Sequence, residues 1–141
     1  MIAIDTNILV YAHREELPLH REARARLIEL AEGVEPWALP VFCIGEFLRV
    51  VTHPRLFDPP STIRQGVQAI GNLLDSPSCV ILNPAEGFWP ILAEIVKDAN
   101  AKGNILYDAQ IVAVCLEHGV REILSEDRDF HRFEGIKLHT L

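Results

Sequence analysis

Four acidic residues stand where an acid is either costly or well placed to act: Asp5, Glu46, Asp108 and Asp127. Asp5 ends the apolar run that begins at Met1, and Asp127 follows the apolar pair Ile123-Leu124. Each is therefore expected just beyond the carboxyl end of a strand, where open parallel sheets build their sites. Asp108 lies in a segment that is apolar nearly all round, with Ile105, Ala109, Val112, Ala113 and Leu116 on one face. Ile111 and Cys115 flank the strip that holds Asn104 and Asp108, so the helix is expected to be mostly buried. An ionised carboxylate there needs a cation, a charged partner or several hydrogen bonds, because uncompensated burial drives it to protonate. Glu46 shares a side of the segment Val41 to Val51 with Cys43 and Val50, while Ile44, Phe47, Leu48 and Val51 form the main apolar stripe. Together the four offer carboxylate oxygens without competing thiolate or imidazole, the donor set of a hard divalent cation such as Mg²⁺ or Mn²⁺. One or two such ions activate water and stabilise charge building on a phosphoryl oxygen, which suits phosphodiester hydrolysis.

Each acid also has a purely structural reading. Asp5 or Thr6 suits the cap of a following helix, and Glu46 suits the solvent edge of a half-buried one. Asp108 suits a pairing with an arginine or with backbone amides, while Asp127 and Asp129 suit a polar turn in which Ser125 orients a neighbouring carboxylate. Other chemistries find little support. The chain has no phosphate-binding glycine loop, nucleophile elbow or zinc-binding His-Glu-x-x-His pair, and its six histidines are scattered. A modest basic segment carries Arg14, Arg21, Arg24 and Arg26. It reads as a solvated helix face paired with Glu22 and Glu29, or alternatively, through Arg14, Arg21 and Arg24, as a contact surface for RNA.

The elements that must position these residues alternate. Short strands are expected at Met1 to Ile4, Trp37 to Leu39, Cys79 to Leu82, Val120 to Ser125 and Ile136 to Leu141. Helices are expected from Ile8 to Ala12, Pro18 to Glu32, Pro40 to Val51, Thr62 to Leu74 with Ser61 as N-cap, Phe88 to Ala99 and Ile105 to His118. A polar turn or short helix is expected from Asp127 to Phe133. This alternation predicts an α/β domain with a central, mostly parallel sheet covered by helices on both faces.

With 141 residues, 49% of them apolar and 23% charged, the chain is expected to form one domain, residues 1–141, with a core that needs no disulfide or structural metal. A formal charge of −7 argues against a protein that coats nucleic acid through a basic face. It leaves room for a nuclease, since a bound cation reverses the local field. Cys43, Cys79 and Cys115 are odd in number and sit in apolar runs, the pattern of buried, reduced thiols in a cytoplasmic protein. No stretch has the length of a membrane span and no basic leader precedes the first apolar run, so neither export nor membrane insertion is expected.

Four segments then carry a likeness: Ile2-Ala3-Ile4-Asp5-Thr6-Asn7, Glu46, Gly103-Asn104-Ile105-Leu106-Tyr107-Asp108-Ala109 and Ser125-Glu126-Asp127-Arg128-Asp129-Phe130. In order and spacing the chain resembles the PIN domain ribonucleases, and within them the VapC toxins of type II toxin–antitoxin pairs. The resemblance implies a PIN-like three-layer fold with Asp5 and Asp108 as principal ligands of Mg²⁺ or Mn²⁺. Glu46 and Asp127 would complete the pocket directly or through water, and Thr6, Asn7, Asn104, Ser125 and Asp129 would hydrogen-bond behind them. Whether Asp127 or Asp129 is the nearer fourth acid is open, with Asp127 favoured. It further implies an RNA substrate, a small VapB-type antitoxin as partner, a homodimer and inhibition of translation. Two other classes remain in view: a catalytically silent binding module of the same fold, and a small-molecule phosphatase using Asp5 as nucleophile. The phosphatase pattern wants a second Asp two residues on, where this chain has Asn7.

Overall fold

The computed structural model describes residues 1–141. Five strands form one parallel sheet: β1 (Ile2–Ile4), β2 (Trp37–Pro40), β3 (Cys79–Leu82), β4 (Glu122–Leu124) and β5 (Lys137–His139). Their order is β3-β2-β1-β4-β5. Six α-helices connect them: α1 (Thr6–His13), α2 (His20–Glu32), α3 (Val41–Val51), α4 (Ile63–Leu74), α5 (Phe88–Asp98) and α6 (Ile105–Glu117). A 3₁₀ turn, Arg128–Arg132, lies between β4 and β5.

The strand order fixes where a site can form. From β1 the chain winds outward through β2 to β3, then returns across the sheet to place β4 on the other side of β1. Right-handed crossovers in opposite directions send α1 to α4 to one face and α5 and α6 to the other. Within each group the helices pack together, α1 against α2 and α3, α3 against α4, and α5 against α6, while α3 also touches α6 across the division. Between β1 and β4 the winding reverses, and connections leaving neighbouring strand ends diverge to open a crevice. The register pairs Ile4 with Leu124, so the residues that follow, Asp5 and Ser125, meet at that crevice.

The sheet is the centre of a single cluster of 25 buried apolar residues. All four residues of β2 are buried, and so is the run Ile111 to Cys115 in α6, which explains why that helix is apolar on almost every side. The expected elements all form, most with ends shifted by a residue or two. The strand expected from Val120 to Ser125 forms over Glu122–Leu124, and Ser125 stands just past its end, its amide still donating to the His139 carbonyl at 2.9 Å.

One cap differs from expectation. The N-cap of α4 is Thr62, not Ser61: the Thr62 hydroxyl accepts from the Gln65 amide while the Gln65 side chain accepts from the Thr62 amide. Ser61 is buried instead, its Oγ 2.9 Å from His13 Nε2 and accepting from Arg14. Cys43 and Cys115 are buried and Cys79 is half-buried, all three unpaired. No helix is long and apolar enough to cross a membrane.

Candidate active site

Asp5 caps α1 and also lines the recess beyond the end of β1. Its backbone is extended at the N-cap of α1, and its Oδ1 accepts from the Thr6 amide at 2.7 Å. Its Oδ2 accepts from Ser125 Oγ at 2.6 Å. The side chain is buried at the end of β1, and that burial pushes its pKa from 3.8 up to about 6. The two hydrogen bonds oppose the rise, while the charges of Glu46 and Asp127 add to it.

Ser125 is the hub of the crevice. Its hydroxyl donates to Asp5 and accepts from Asn7 Nδ2 at 2.9 Å and from the Asp127 amide at 2.9 Å. One donor and two lone pairs are thereby all used, which fixes the direction of its proton. Asn7 is held from its other end by the Glu126 amide, 3.3 Å from Oδ1. Thr6 donates its hydroxyl to Glu46 Oε2 at 2.8 Å, linking the first turn of α1 to the middle of α3. Asp127 caps the 3₁₀ turn, its Oδ1 accepting from the Asp129 amide at 2.8 Å. Three of the four acids thus have an oxygen fixed by the protein.

Asp108, in the first turn of α6, does not. Burial, followed by the charges of Asp127, Asp5, Glu46 and Asp129, raises its pKa to about 7, and no hydrogen bond offsets the rise. Asp5, Glu46, Asp108 and Asp127 line one recess. Glu46, Asp108 and Asp127 continue into an adjoining cleft of about 790 Å³, where Asp129 joins them. One carboxylate oxygen from each of Asp108, Asp127 and Asp129 lies within 4.8 Å of the others. Asp127 lines both the recess and the cleft, while Asp129 lines the cleft alone. This donor set fits a hard divalent cation: clustered oxygens, one of them on a half-buried acid with no protein partner.

Asn104 precedes α6 and lines the cleft, but its side chain makes no cap hydrogen bond. Arg21 and Arg24 are exposed on α2 and are not among the residues that line the cleft. Arg14 is not a free surface cation. Its guanidinium binds Glu16, the Pro59 carbonyl and Ser61, and lies 4.4 Å from the Phe57 ring centroid. Arg26 pairs with Glu29, as a solvated helix face would have it. Arg49 lines the cleft without having been a sequence candidate, and Tyr107, named there only as part of the segment 103–109, lines it too. Their signal was helical spacing, since Arg49 is one turn beyond Glu46 and Tyr107 adjoins Asp108.

The raised pKa values of Asp5 and Asp108 set the pH dependence of the metal-free protein. Both groups hold a proton more tightly folded than unfolded. Their contribution to stability is therefore complete below about pH 4 and is lost as pH rises through about 6 and about 7. For buried Asp5 the loss is on the order of 3 kcal/mol. Thermal melts in chelator are expected to show this decline, and Mg²⁺ or Mn²⁺ should raise the melting temperature more at pH 7.5 than at pH 5. An equal metal effect at both pH values would show that these acids do not hold the ion.

The sequence model of the PIN domain matches residues 2–136. The chain belongs to the PIN domain family. It is 38% identical over 137 residues to VapC ribonuclease Mb2897 of Mycobacterium bovis, a match that covers 97% of this chain and 92% of that relative. It is 35% identical over 136 residues to ribonuclease VapC48 of Mycobacterium tuberculosis, covering 95% and 92%. Among solved structures, the fold matches VapBC2 from Rickettsia felis bound to a DNA fragment from their promoter. There the TM-score is 0.71 at 16% identity, with 100% of this chain and 99% of that one covered. The PIN family thus accounts for the α/β fold with its parallel sheet.

Proposed function

We propose that this PIN domain protein is a metal-dependent endoribonuclease, the toxin of a type II toxin–antitoxin pair, which hydrolyses RNA phosphodiester bonds and so inhibits translation. The observation that carries the chemistry is the recess where Asp5, Glu46, Asp108 and Asp127 converge, Asp108 having no hydrogen bond to stabilise its charge. The names of the VapC relatives support RNA as the substrate, and the VapBC match supports a VapB-type antitoxin as partner. We extend the reading to a chain that works as one domain, in the cytoplasm, and as a homodimer.

Asp5 and Asp108 would be the principal ligands of the ion, with Glu46 and Asp127 completing the recess and Asp129 adding an oxygen from the cleft side. Mg²⁺ or Mn²⁺, when bound, supplies stabilisation of charge on the phosphoryl oxygen and acidifies water. The protein's part is orientation. Thr6 turns Glu46 toward the recess, Ser125 locks Asp5, and the Asp129 amide leaves the second oxygen of Asp127 open. A polyanion cannot approach five clustered carboxylates unless a cation offsets them, so substrate binding and metal binding are coupled.

The test is cleavage of total bacterial RNA by the purified protein in Mg²⁺, in Mn²⁺ and in chelator, beside an Asp108→Asn control. Discrete fragments are expected only from the metal-loaded wild type. A folded protein that binds metal and cuts no RNA would overturn the nuclease reading in favour of a binding module.

A further inference from the structure

The cleft carries two side chains that the metal chemistry leaves unused. Arg49, in the last turn of α3, is the one basic residue among those that line it. Its side chain is 63% exposed, and its guanidinium stands 3.7 Å from Glu46 Oε1, beyond hydrogen-bond reach. The ion pairs of Arg14, Arg26 and Lys97 close to between 2.5 and 2.7 Å. Nor does Glu46 need Arg49 to hold it, because Thr6 already donates to its other oxygen at 2.8 Å. The Arg49 fork is therefore free to bind a second anion, and its planar donors match a phosphate.

Tyr107 lines the same cleft from the first turn of α6. It is 64% exposed and stacks on no other aromatic ring. An open ring in the same cleft as a phosphate-binding cation is a combination that holds unpaired nucleotides, a base stacking on the ring while the backbone meets the charge. A base inside a duplex is stacked on both sides and presents only its edges, so it offers Tyr107 no open face.

We propose that Arg49 and Tyr107 hold the nucleotide beside the scissile phosphate, Arg49 on the RNA backbone and Tyr107 against an unpaired base, and so confine the enzyme to loops and single strands. The inference rests on the nuclease reading above and adds the residues that select the form of RNA. Both side chains are largely exposed, so their removal leaves the core untouched.

The probe is a fluorescent hairpin RNA with a randomised loop, bound to the full wild-type chain in Ca²⁺, whose loose coordination by carboxylate oxygens fills the site without supporting rapid hydrolysis, so that the RNA is not consumed. Arg49→Ala and Tyr107→Ala are each expected to weaken binding by roughly 5- to 100-fold, while Tyr107→Phe, which keeps the ring face, stays within about 2-fold. Arg49→Ala should also flatten the dependence of log affinity on log salt by about 0.7, one phosphate contact on a single strand. A blunt duplex of the same stem should bind weakly and ignore both substitutions. Unchanged affinity in both alanine variants, or no binding of the hairpin by the parent, overturns the inference. The nuclease reading fails separately, on the absence of Asp108-dependent fragments from total RNA.

Discussion

Asp108→Asn is expected to abolish RNA cleavage and, in the same protein without metal, to raise stability at neutral pH. The two effects have one cause. Asp108 is half-buried, receives no hydrogen bond and faces the charges of Asp127, Asp5, Glu46 and Asp129, which together with burial lift its pKa to about 7. At pH 7.5 it is largely ionised against that resistance, a strain that a neutral amide removes. Because part of the group reaches solvent, the gain is smaller than the shift alone suggests, about 1 to 2 kcal/mol. For a domain of this size that is a rise of roughly 3 to 10 °C in melting temperature. The gain should shrink toward pH 5, where the wild-type carboxyl is itself protonated. Cleavage should fall by roughly 100-fold or more, since even partners behind a metal ligand cost about 10- to 100-fold. A variant that loses both activity and stability would mean that Asp108 is a structural acid with a partner, and the case for a cation site would collapse.

That opposition between stability and site shaped what the sequence could reveal. Asp108 was legible because a carboxylate in a helix apolar on nearly every side has no inexpensive structural explanation. Asp5 and Asp127 were legible because an acid that closes a short apolar run falls at the edge where parallel sheets carry their sites. Glu46 gave the weakest signal, an acid on one side of an amphipathic helix, and its role depends on a hydroxyl 40 residues away at Thr6. The contacts that organise the crevice were not legible at all. Asn7 and Ser125 are 118 residues apart, and they meet because β1 and β4 pair in a register that places Ile4 beside Leu124. Strand order is a property of the whole chain, and no local pattern states it. Ser61 and Thr62 show the same limit at short range: adjacent hydroxyls are equal candidates for a cap until tertiary packing claims one. Arg14 engages Ser61, which leaves Thr62 to close the box with Gln65. Arg49 and Tyr107 carry no signal of their own, since exposed arginines and tyrosines are common on helices, although helical spacing puts Arg49 one turn from Glu46.

The same web makes Ser125 the site's most exacting hydroxyl. Ser125→Ala removes a donor to Asp5 and two acceptor positions, those used by Asn7 and by the Asp127 amide. Ser125 is fully buried, so no solvent stands ready to replace the oxygen at its own position. Leaving such groups unpaired costs about 2 to 3 kcal/mol, and the loss should appear in chemical denaturation at neutral pH. Asp5 loses one of the two hydrogen bonds that restrain its pKa, so its proton affinity rises further above about 6. A cation must then compete with a more tightly held proton and with a carboxylate free to rotate. Metal affinity and cleavage are expected to fall by about 10- to 100-fold, the range for residues that orient ligands without touching the ion. Ser125→Thr separates the two consequences. It restores the hydroxyl while adding a methyl group to a closed space, so cleavage should return to within a few-fold of wild type even where crowding costs about 1 kcal/mol or more of stability. If the threonine variant folds and binds metal but remains as inactive as the alanine variant, the hydroxyl is not what aligns Asp5. Orientation of the acids would then have to come from the strand ends alone.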